Sequence, residues 1–225
     1  MFINMFAAFY CMKLISVNVS LPKIVEFRGN KVSTGIYKDP VQGKIKVRKL
    51  NLDGDKQADL TVHGGLDKAV YAYPSEHYPY WRDQYPDIEM NWGMFGENFT
   101  TEGLLEDQVN IGDEFQVGST KFAVTQPRMP CFKLGIKFGR GDIIKRFFAS
   151  GKPGIYFKVL EEGEVGTGDE IKLLRRDENN VTVQEIMKTY GDEKENLDLV
   201  KRALKIDALP ESWKEYYQQI LQSLK

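Results

Sequence analysis

The sequence predicts a mainly β, α+β chain closing in a small helical region, and three observations predict it. Short runs of alternating apolar residues, bounded by glycine-containing turns, fill most of the chain up to Arg176. A glycine turn feeding a strand occurs twice, as Val109-x-x-Gly112-Asp113-Glu114-Phe115 and Val165-x-x-Gly168-Asp169-Glu170-Ile171. Such punctuation suits a closed or strongly bent antiparallel sheet. Beyond the polar stretch Arg175–Asn180, apolar residues fall at helical spacing instead.

In chain order, the predicted strands are Leu14–Val19, Val25–Phe27, Ile45–Leu50 and Ala69–Tyr73, then Phe115–Val117, Phe122–Thr125, Ile155–Leu160 and Ile171–Leu174. Gly118-Ser119 lies between two of them and suits a two-residue type II′ hairpin, because glycine accepts the positive φ of the first turn position. Ser75 is placed to cap a short helix running through Trp81. Asp142 is placed to cap another, with Ile143/Phe147 and Ile144/Phe148 on one stripe and Gly151 past its end. In the tail, Thr182-x-x-Glu185 is a capping box opening a helix whose face carries Val183, Ile186, Met187 and Tyr190. Leu197, Val200, Ala203 and Leu204 mark a second helix. Pro210 starts a third, striped by Trp213, Tyr216, Tyr217, Ile220, Leu221 and Leu224. Three short amphipathic helices are not stable alone in water, so they must pack on each other, on the sheet, or in a homodimer. The chain thus divides into an extension (1–12), a sheet domain (13–176) and a three-helix region (177–225).

Composition narrows the function. With 225 residues, 42% hydrophobic and 28% charged, the chain has the mix of a globular protein, not of a disordered or fibrous one. A net charge of −1 leaves no footprint for gripping a phosphate backbone, against a nucleic-acid role. No stretch approaches the about 20 apolar residues that span a bilayer, so no membrane role is expected. The apolar run 1–11 lacks a positive n-region; it reads as a dispensable extension, with Met12-Lys13 an alternative start. Two cysteines and two histidines exclude a disulfide framework, a four-cysteine zinc site and a three-histidine zinc site within one chain. This usage fits a reducing cytoplasm.

Phosphate-loop, dinucleotide and nucleophile-elbow motifs are missing. Three segments carry possible chemistry. Val62-His63-Gly64-Gly65-Leu66-Asp67-Lys68-Ala69-Val70-Tyr71 puts bare backbone amides and the Lys68 charge at a turn, apt for an anionic ligand; a plain hairpin has the same residues. Phe95-Gly96-Glu97-Asn98-Phe99-Thr100 offers an acceptor and an amide for a heterocycle edge, or for the turn's own backbone. In Gln126-Pro127-Arg128-Met129-Pro130-Cys131-Phe132-Lys133, two prolines stiffen a loop presenting Cys131. Arg128 and Lys133 would favour its thiolate, and a buried structural thiol is the alternative. Cys11 lies in the extension and reads as idle. His77 reads as a helix-surface residue, and Tyr78, Tyr80, Trp81, Tyr85 and Trp92 as core or pocket wall.

These three segments, in this order and together with Gly112-Asp113 and Ser150-Gly151-x-x-Gly154, resemble the MOSC domain over roughly Leu14 to Arg176. The tail, with its Leu209-Pro210-Glu211-Ser212-Trp213 start, resembles the extension of the family's YiiM-type bacterial branch. The resemblance implies a bent β-barrel. It also implies the pyranopterin molybdenum cofactor (Mo-molybdopterin), with Cys131 as catalytic residue and metal ligand. His63, Gly64, Gly65, Lys68, Tyr71 and Arg128 would contact the cofactor, and Glu97 and Asn98 the pterin or the substrate. A generic pyridoxal phosphate label also attaches to the family, without support from these residues.

The activity implied is reduction of N-hydroxylated small molecules, such as N-hydroxylated purine bases, to amines. The metal supplies the electron chemistry, and Tyr71 and His77 are candidate proton donors. The chain has no ferredoxin cysteine set, flavin fingerprint or c-type haem motif, so a separate electron-donor protein is required. Two other functions fit Cys131. One is a non-catalytic carrier of sulfur or of the cofactor; the other is a cysteine-based transferase or hydrolase, for which no orienting partner is evident.

Overall fold

The structure is a computed structural model describing residues 11–58, 64–190 and 196–223. Its strands are β1 (Lys13–Val19), β2 (Lys23–Phe27), β3 (Asn30–Thr34), β4 (Asp39–Pro40), β5 (Lys44–Val47), β6 (Val70–Pro74), β7 (Phe99–Glu102), β8 (Glu114–Val117), β9 (Thr120–Pro127), β10 (Ile155–Glu161), β11 (Gly163–Gly166) and β12 (Ile171–Arg175). The helices are α1 (Tyr78–Gln84), α2 (Phe132–Phe138), α3 (Asp142–Ala149), α4 (Val183–Thr189), α5 (Leu197–Ala203) and α6 (Glu211–Ser223).

Eight strands form one sheet in the order β12-β8-β9-β10-β6-β7-β1-β4; β5 pairs with β11 and β2 with β3 in two small separate sheets. Within the large sheet β6 and β7 run parallel and the other neighbours antiparallel. The result is a mixed α+β fold with an open sheet, which corrects the barrel expected from the sequence. The sheet's ends do approach. Lys13 and Glu170 form an isolated bridge, and the Ile171 amide donates to the Met12 carbonyl at 2.8 Å. No continuous ladder grows from that point. The far end of β1 is taken by β4, with Val19 opposite Asp39, while β12 spends its length on β8.

The repeated sequence motif is one turn used twice. Gly112 and Gly168 have φ of +87° and +93°, the left-handed region glycine tolerates. Asp113 Oδ2 accepts from the Asn110 amide at 2.9 Å, and Asp169 Oδ2 from the Gly166 amide at 2.8 Å. Each turn then launches a strand, and those strands, β8 and β12, pair with each other. Gly118, at φ +56°, opens the expected hairpin between β8 and β9.

The strand β6 is buried on both faces and separates two cores. Val70 and Ala72 join a largely aliphatic core with Leu14, Phe115, Val124 and Phe157, which continues into the tail helices through Val183, Ile186, Val200 and Trp213. Tyr71 and Tyr73, one residue out of phase, join an aromatic core with Tyr78, Trp81, Tyr85, Phe95, Phe138 and Phe147. The expected core or wall role of Tyr78, Trp81 and Tyr85 is therefore a core role.

In the tail, Thr182 Oγ1 accepts from the Glu185 amide and the Thr182 amide donates to Glu185 Oε2, at 3.1 and 2.7 Å: the expected capping box. Trp213 and Tyr217 are the buried residues of α6, and Tyr190 is exposed. Leu224 and residues 1–10 lie outside the described residues. Two local expectations change. The cap of α3 is Gly141, with no side-chain cap bond, and Asp142 occupies the first turn instead. Ser75 opens a single 3-10 turn that runs on into α1. Among the described residues, no helix is long and apolar enough to cross a membrane.

Candidate functional site

A basic cleft lies where three loops meet. It holds about 90 Å³ of free volume and opens to solvent. The loop after β9 brings Arg128, Cys131 and Lys133; the turn before β6 brings Gly64 and Lys68, with Tyr71 following on the strand; and the loop before β7 brings Gly96 and Asn98. The opposite wall is Thr34 at the end of β3, Gly35, Ile36 and Lys38 after it, and Lys56, Gln57 and Ala58; Tyr156 of β10 also lines the cleft.

Cys131 ends the proline-flanked loop in extended conformation (φ −126°, ψ 170°) immediately before α2. It is half-buried and in no disulfide. Burial raises the Tyr156 pKa and the neighbouring Cys131 adds to the rise; Cys131 also acts to raise that of Arg128. Arg128 is itself buried, with its guanidinium 4.8 Å from the centre of the Tyr71 ring and 5.7 Å from that of Phe147. One of its nitrogens donates to the Phe95 carbonyl. Burial alone would lower the Arg128 pKa, but Tyr71, Tyr156 and Cys131 outweigh it and raise it, so the charge is permanent. Burial pushes the Tyr71 phenol well up, and its hydroxyl donates to the Pro153 carbonyl at 2.8 Å.

At the turn, Gly64 and Gly65 both have positive φ, and the single 3-10 turn Leu66–Lys68 follows. Thr125 Oγ1 lies 2.7 Å from the Asp67 carbonyl and fixes this turn to β9. Burial draws the Lys68 pKa down against the pull of Asp67. Among the described residues, a Cβ on Gly65 would meet no atom within 4 Å.

Asn98 lines the cleft but is committed to structure. Its Oδ1 accepts from the Tyr71 amide at 3.2 Å, and its Nδ2 donates to the Asn18 carbonyl at 3.3 Å and to Asp55 Oδ2 at 3.0 Å. Glu97 sits behind the wall, fully buried. It accepts from the Tyr78 hydroxyl, the Gly93 and Phe95 amides (2.8 and 3.0 Å) and Thr100 Oγ1 (3.0 Å). Burial raises its pKa, and these donors oppose the rise. So Gly64, Lys68, Tyr71, Asn98, Arg128 and Cys131 converge on one cleft, Gly65 adjoins it, Glu97 backs it, and His63 lies outside the described residues.

His77 departs from its expected place on a helix surface. It is buried, with Nε2 2.7 Å from Glu106 Oε2, while Glu106 Oε1 accepts from the Gly154 amide at 2.7 Å. It belongs to the packing that supports β10, away from the cleft lining.

The wall opposite Cys131 escaped sequence reasoning. Lys38 and Asp55 form a buried ion pair; Asp55 also accepts from the Ser20 amide at 2.9 Å and from Asn98. Burial lowers the Lys38 pKa and Asp55 raises it in opposition. A local signal was present at Gly35, where a Cβ would stand 2.6 Å from the Lys56 carbonyl, so only glycine permits the two loops to touch.

Among the described residues the lining carries Lys38, Lys56, Lys68, Arg128 and Lys133 and no carboxylate. The donor set is one soft sulfur, an anion-attracting collar and bare backbone. Among the described residues there is no cluster of three metal-ligating side chains. Such a site fits a metal that arrives with most of its ligands already on an anionic organic group, needing a single thiolate from the protein.

The sequence profile of the MOSC domain matches residues 59–172, and that of the YiiM-like 3-alpha helix domain matches residues 181–223. The uncharacterized protein YflK of Bacillus subtilis is 41% identical over 201 residues, spanning 89% of this chain and 90% of YflK. Protein YiiM of Escherichia coli is 37% identical, spanning 88% of each chain. A longer protein of Gibberella moniliformis, named a reductase, is 35% identical over 152 residues, which are 66% of this chain and 27% of that protein. The crystal structure of YiiM from Geobacillus stearothermophilus superposes with a TM-score of 0.79 at 36% identity, covering 93% of this chain and 99% of that one.

Proposed function

The chain belongs to the MOSC domain family, in its branch with a YiiM-like three-helix extension, and from that premise we propose that it is a molybdenum-cofactor oxidoreductase. Its substrates in this proposal are N-hydroxylated small molecules such as N-hydroxylated bases. The reaction is R–NHOH + 2 e⁻ + 2 H⁺ → R–NH₂ + H₂O, with electrons from a separate donor protein. The fungal relative's name, a reductase, supports the direction of the reaction. The observation that carries the proposal is the convergence of Cys131 with Arg128, Lys68 and Lys133 on one basic cleft.

Cys131 would hold the metal, and Lys68, Lys133 and Lys56 the anionic end of the pterin group, beside the Gly64-Gly65 turn. The cofactor supplies the two-electron chemistry. The chain's own residues bind and orient. Arg128, held over Tyr71 and bonded to the Phe95 carbonyl, keeps a permanent positive charge beside the Cys131 sulfur and so favours its thiolate. Asn98 is a positioning residue that ties the cleft's front and back walls through Tyr71 and Asp55. The Tyr71 hydroxyl, already given to Pro153, is a wall and not a proton donor.

Metal analysis of protein from a cofactor-competent host tests the proposal. Wild type should carry stoichiometric molybdenum and reduce an N-hydroxylated base with dithionite. Cys131→Ser should lose the metal while keeping the thermal unfolding profile of cofactor-free wild type. Lys68→Ala should weaken retention, by roughly tenfold for the loss of a charge-assisted contact. Cofactor bound without N–O reduction would instead mean a carrier, and activity in metal-free protein a cysteine-based transferase.

A further inference from the structure

The proposed reaction needs a partner that brings electrons, and the cleft's mouth has the surface to receive one. We infer that the β2–β3 hairpin and the basic collar beside it form the docking face for an acidic electron-carrier protein, an inference that rests on the reductase reading above.

The hairpin is a two-stranded sheet separate from the main one. Such a unit is marginal in water by itself. It is anchored at its root, where Ser20 accepts from the Lys56 amide at 3.0 Å and Thr34 lines the cleft. At the other end, the Phe27 ring lies 6.2 Å from that of Phe132, the residue after Cys131. Large apolar side chains are exposed on the hairpin and on two of the cleft's loops: Ile24 in β2 is 72% exposed, Leu21 just before it 57%, Leu66 between Gly65 and Lys68 55%, and Phe132 beside Cys131 48%. Exposed apolar residues gathered around a single cleft mark an interaction site.

Charge selects the partner. Lys23, Arg28 and Lys31 on the hairpin add to Lys56, Lys68 and Lys133 in the cleft, against Glu26, Asp39 and Asp67 nearby. Lys23 is 3.9 Å from Asp39, which leaves the excess to the others. A chain of net charge −1 has therefore gathered positive charge on this one face, and a negatively charged partner is steered to it. A carrier seated on Phe132 would be one residue from the sulfur proposed to hold the metal. Short range is what electron delivery requires.

The experiment uses the cofactor-loaded full chain with two acidic carriers as probes, a bacterial flavodoxin and a plant-type ferredoxin. Two readouts are compared: carrier-driven and dithionite-driven N–O reduction. Arg28→Glu/Lys31→Glu and, separately, Ile24→Glu should lower carrier-driven kcat/KM by at least about tenfold at low salt. Dithionite-driven rate and molybdenum content should stay at wild-type values, and Lys172→Glu on β12 should change neither. Wild-type carrier-driven rate should fall between 0.01 and 0.1 M salt, as the Debye length shrinks from about 30 to about 10 Å. Binding of each oxidised carrier to cofactor-free protein gives a readout independent of turnover, and the hairpin variants should abolish it. Failure of dithionite-driven turnover in wild type would sink the reductase reading alone. Wild-type protein that binds neither carrier, or hairpin variants that bind as wild type does, would overturn the docking face. So would hairpin variants that turn a dimer into monomers while carrier-driven rate is kept, which would assign the face to a second copy of this chain.

Discussion

The two cores on either side of β6 are built on different principles. The aliphatic core, from Leu14 and Phe115 to Val200 in the tail, is held by volume and burial, and almost none of its side chains has a polar atom. The aromatic core behind the cleft is held by polar atoms as well. Trp81 Nε1 donates to the Tyr73 hydroxyl at 2.7 Å, Tyr78 donates to Glu97, and Lys137 Nζ reaches the Ile36 and Gly93 carbonyls at 3.0 and 2.6 Å. Stacked rings bring area, and the bonds between them fix direction. A packed hydrocarbon core tolerates rearrangement if volume is kept. A bonded one specifies positions, and here those positions belong to the walls that carry Arg128 and Asn98.

The sharpest test is a matched pair of truncations. Glu97→Ala leaves the Tyr78 hydroxyl, two backbone amides and Thr100 Oγ1 without their acceptor in a buried site, at an expected cost of about 3–5 kcal/mol. Phe115→Ala in the other core should cost a similar amount, about 3–5 kcal/mol. Urea unfolding measures both. Molybdenum per folded molecule should then separate them, because Glu97 fixes the turn whose Phe95 carbonyl holds Arg128, while Phe115 belongs to the other core and is not in the cleft lining. Equal retention in the two variants would erase the distinction between the cores.

The same contrast governs what the sequence revealed. Alternating apolar runs announced the strands of the aliphatic core, and the Thr182/Glu185 spacing announced the tail. The segment Phe132–Phe138 misleads, because Phe132, Leu134, Ile136 and Phe138 alternate as in a strand, whereas the chain makes it helix α2 with Leu134, Gly135 and Phe138 buried. Strand β3 is polar and largely exposed, and β4 is two residues long, so neither leaves a period to read. At the site, Cys131 and Arg128 were legible because prolines and charge mark the loop. Lys38 and Asp55 were not, since a pair 17 residues apart has no local pattern. His77 was misplaced on the surface for the same reason: its partner, Glu106, is 29 residues away.

A second test titrates the bonded core. Burial lowers the Lys137 pKa to about 8, with Glu97 and Asp39 pulling it upward and Lys38 and Arg128 pushing it down further. The unfolded chain keeps that proton up to the ordinary lysine value of 10.5, so between these values it binds more protons than the folded chain. Stability therefore rises with pH from about 8, by at most about 1.4 kcal/mol per unit. Above about pH 10 the trend reverses, because burial holds the Tyr71, Tyr73 and Tyr78 phenols protonated in the fold while their unfolded forms ionise. Denaturation midpoints at pH 7.5 and 9.5 should differ by about 1–2 kcal/mol in wild type and by less in Lys137→Gln. An unchanged pH slope in the variant would remove Lys137 from the account.

The smallest effect asks whether the two sides are independent. Thr182→Ala deletes the acceptor for the Glu185 amide and should cost about 1 kcal/mol, read as a lower urea midpoint with an unchanged slope. The tail does have one bonded line toward the cleft loop. Trp213 Nε1 donates to Gln126 Oε1 at 3.0 Å, and Gln126 directly precedes Pro127 and Arg128, with its own Nε2 buried and without a hydrogen-bond partner among the described residues. If α4 and α6 only fill volume, the variant should keep its full molybdenum content at temperatures where it is folded. Loss of metal from folded Thr182→Ala protein, with the same loss in Trp213→Phe, would mean that the tail sets the position of the Cys131 loop through Gln126, and the separation drawn at β6 would fail.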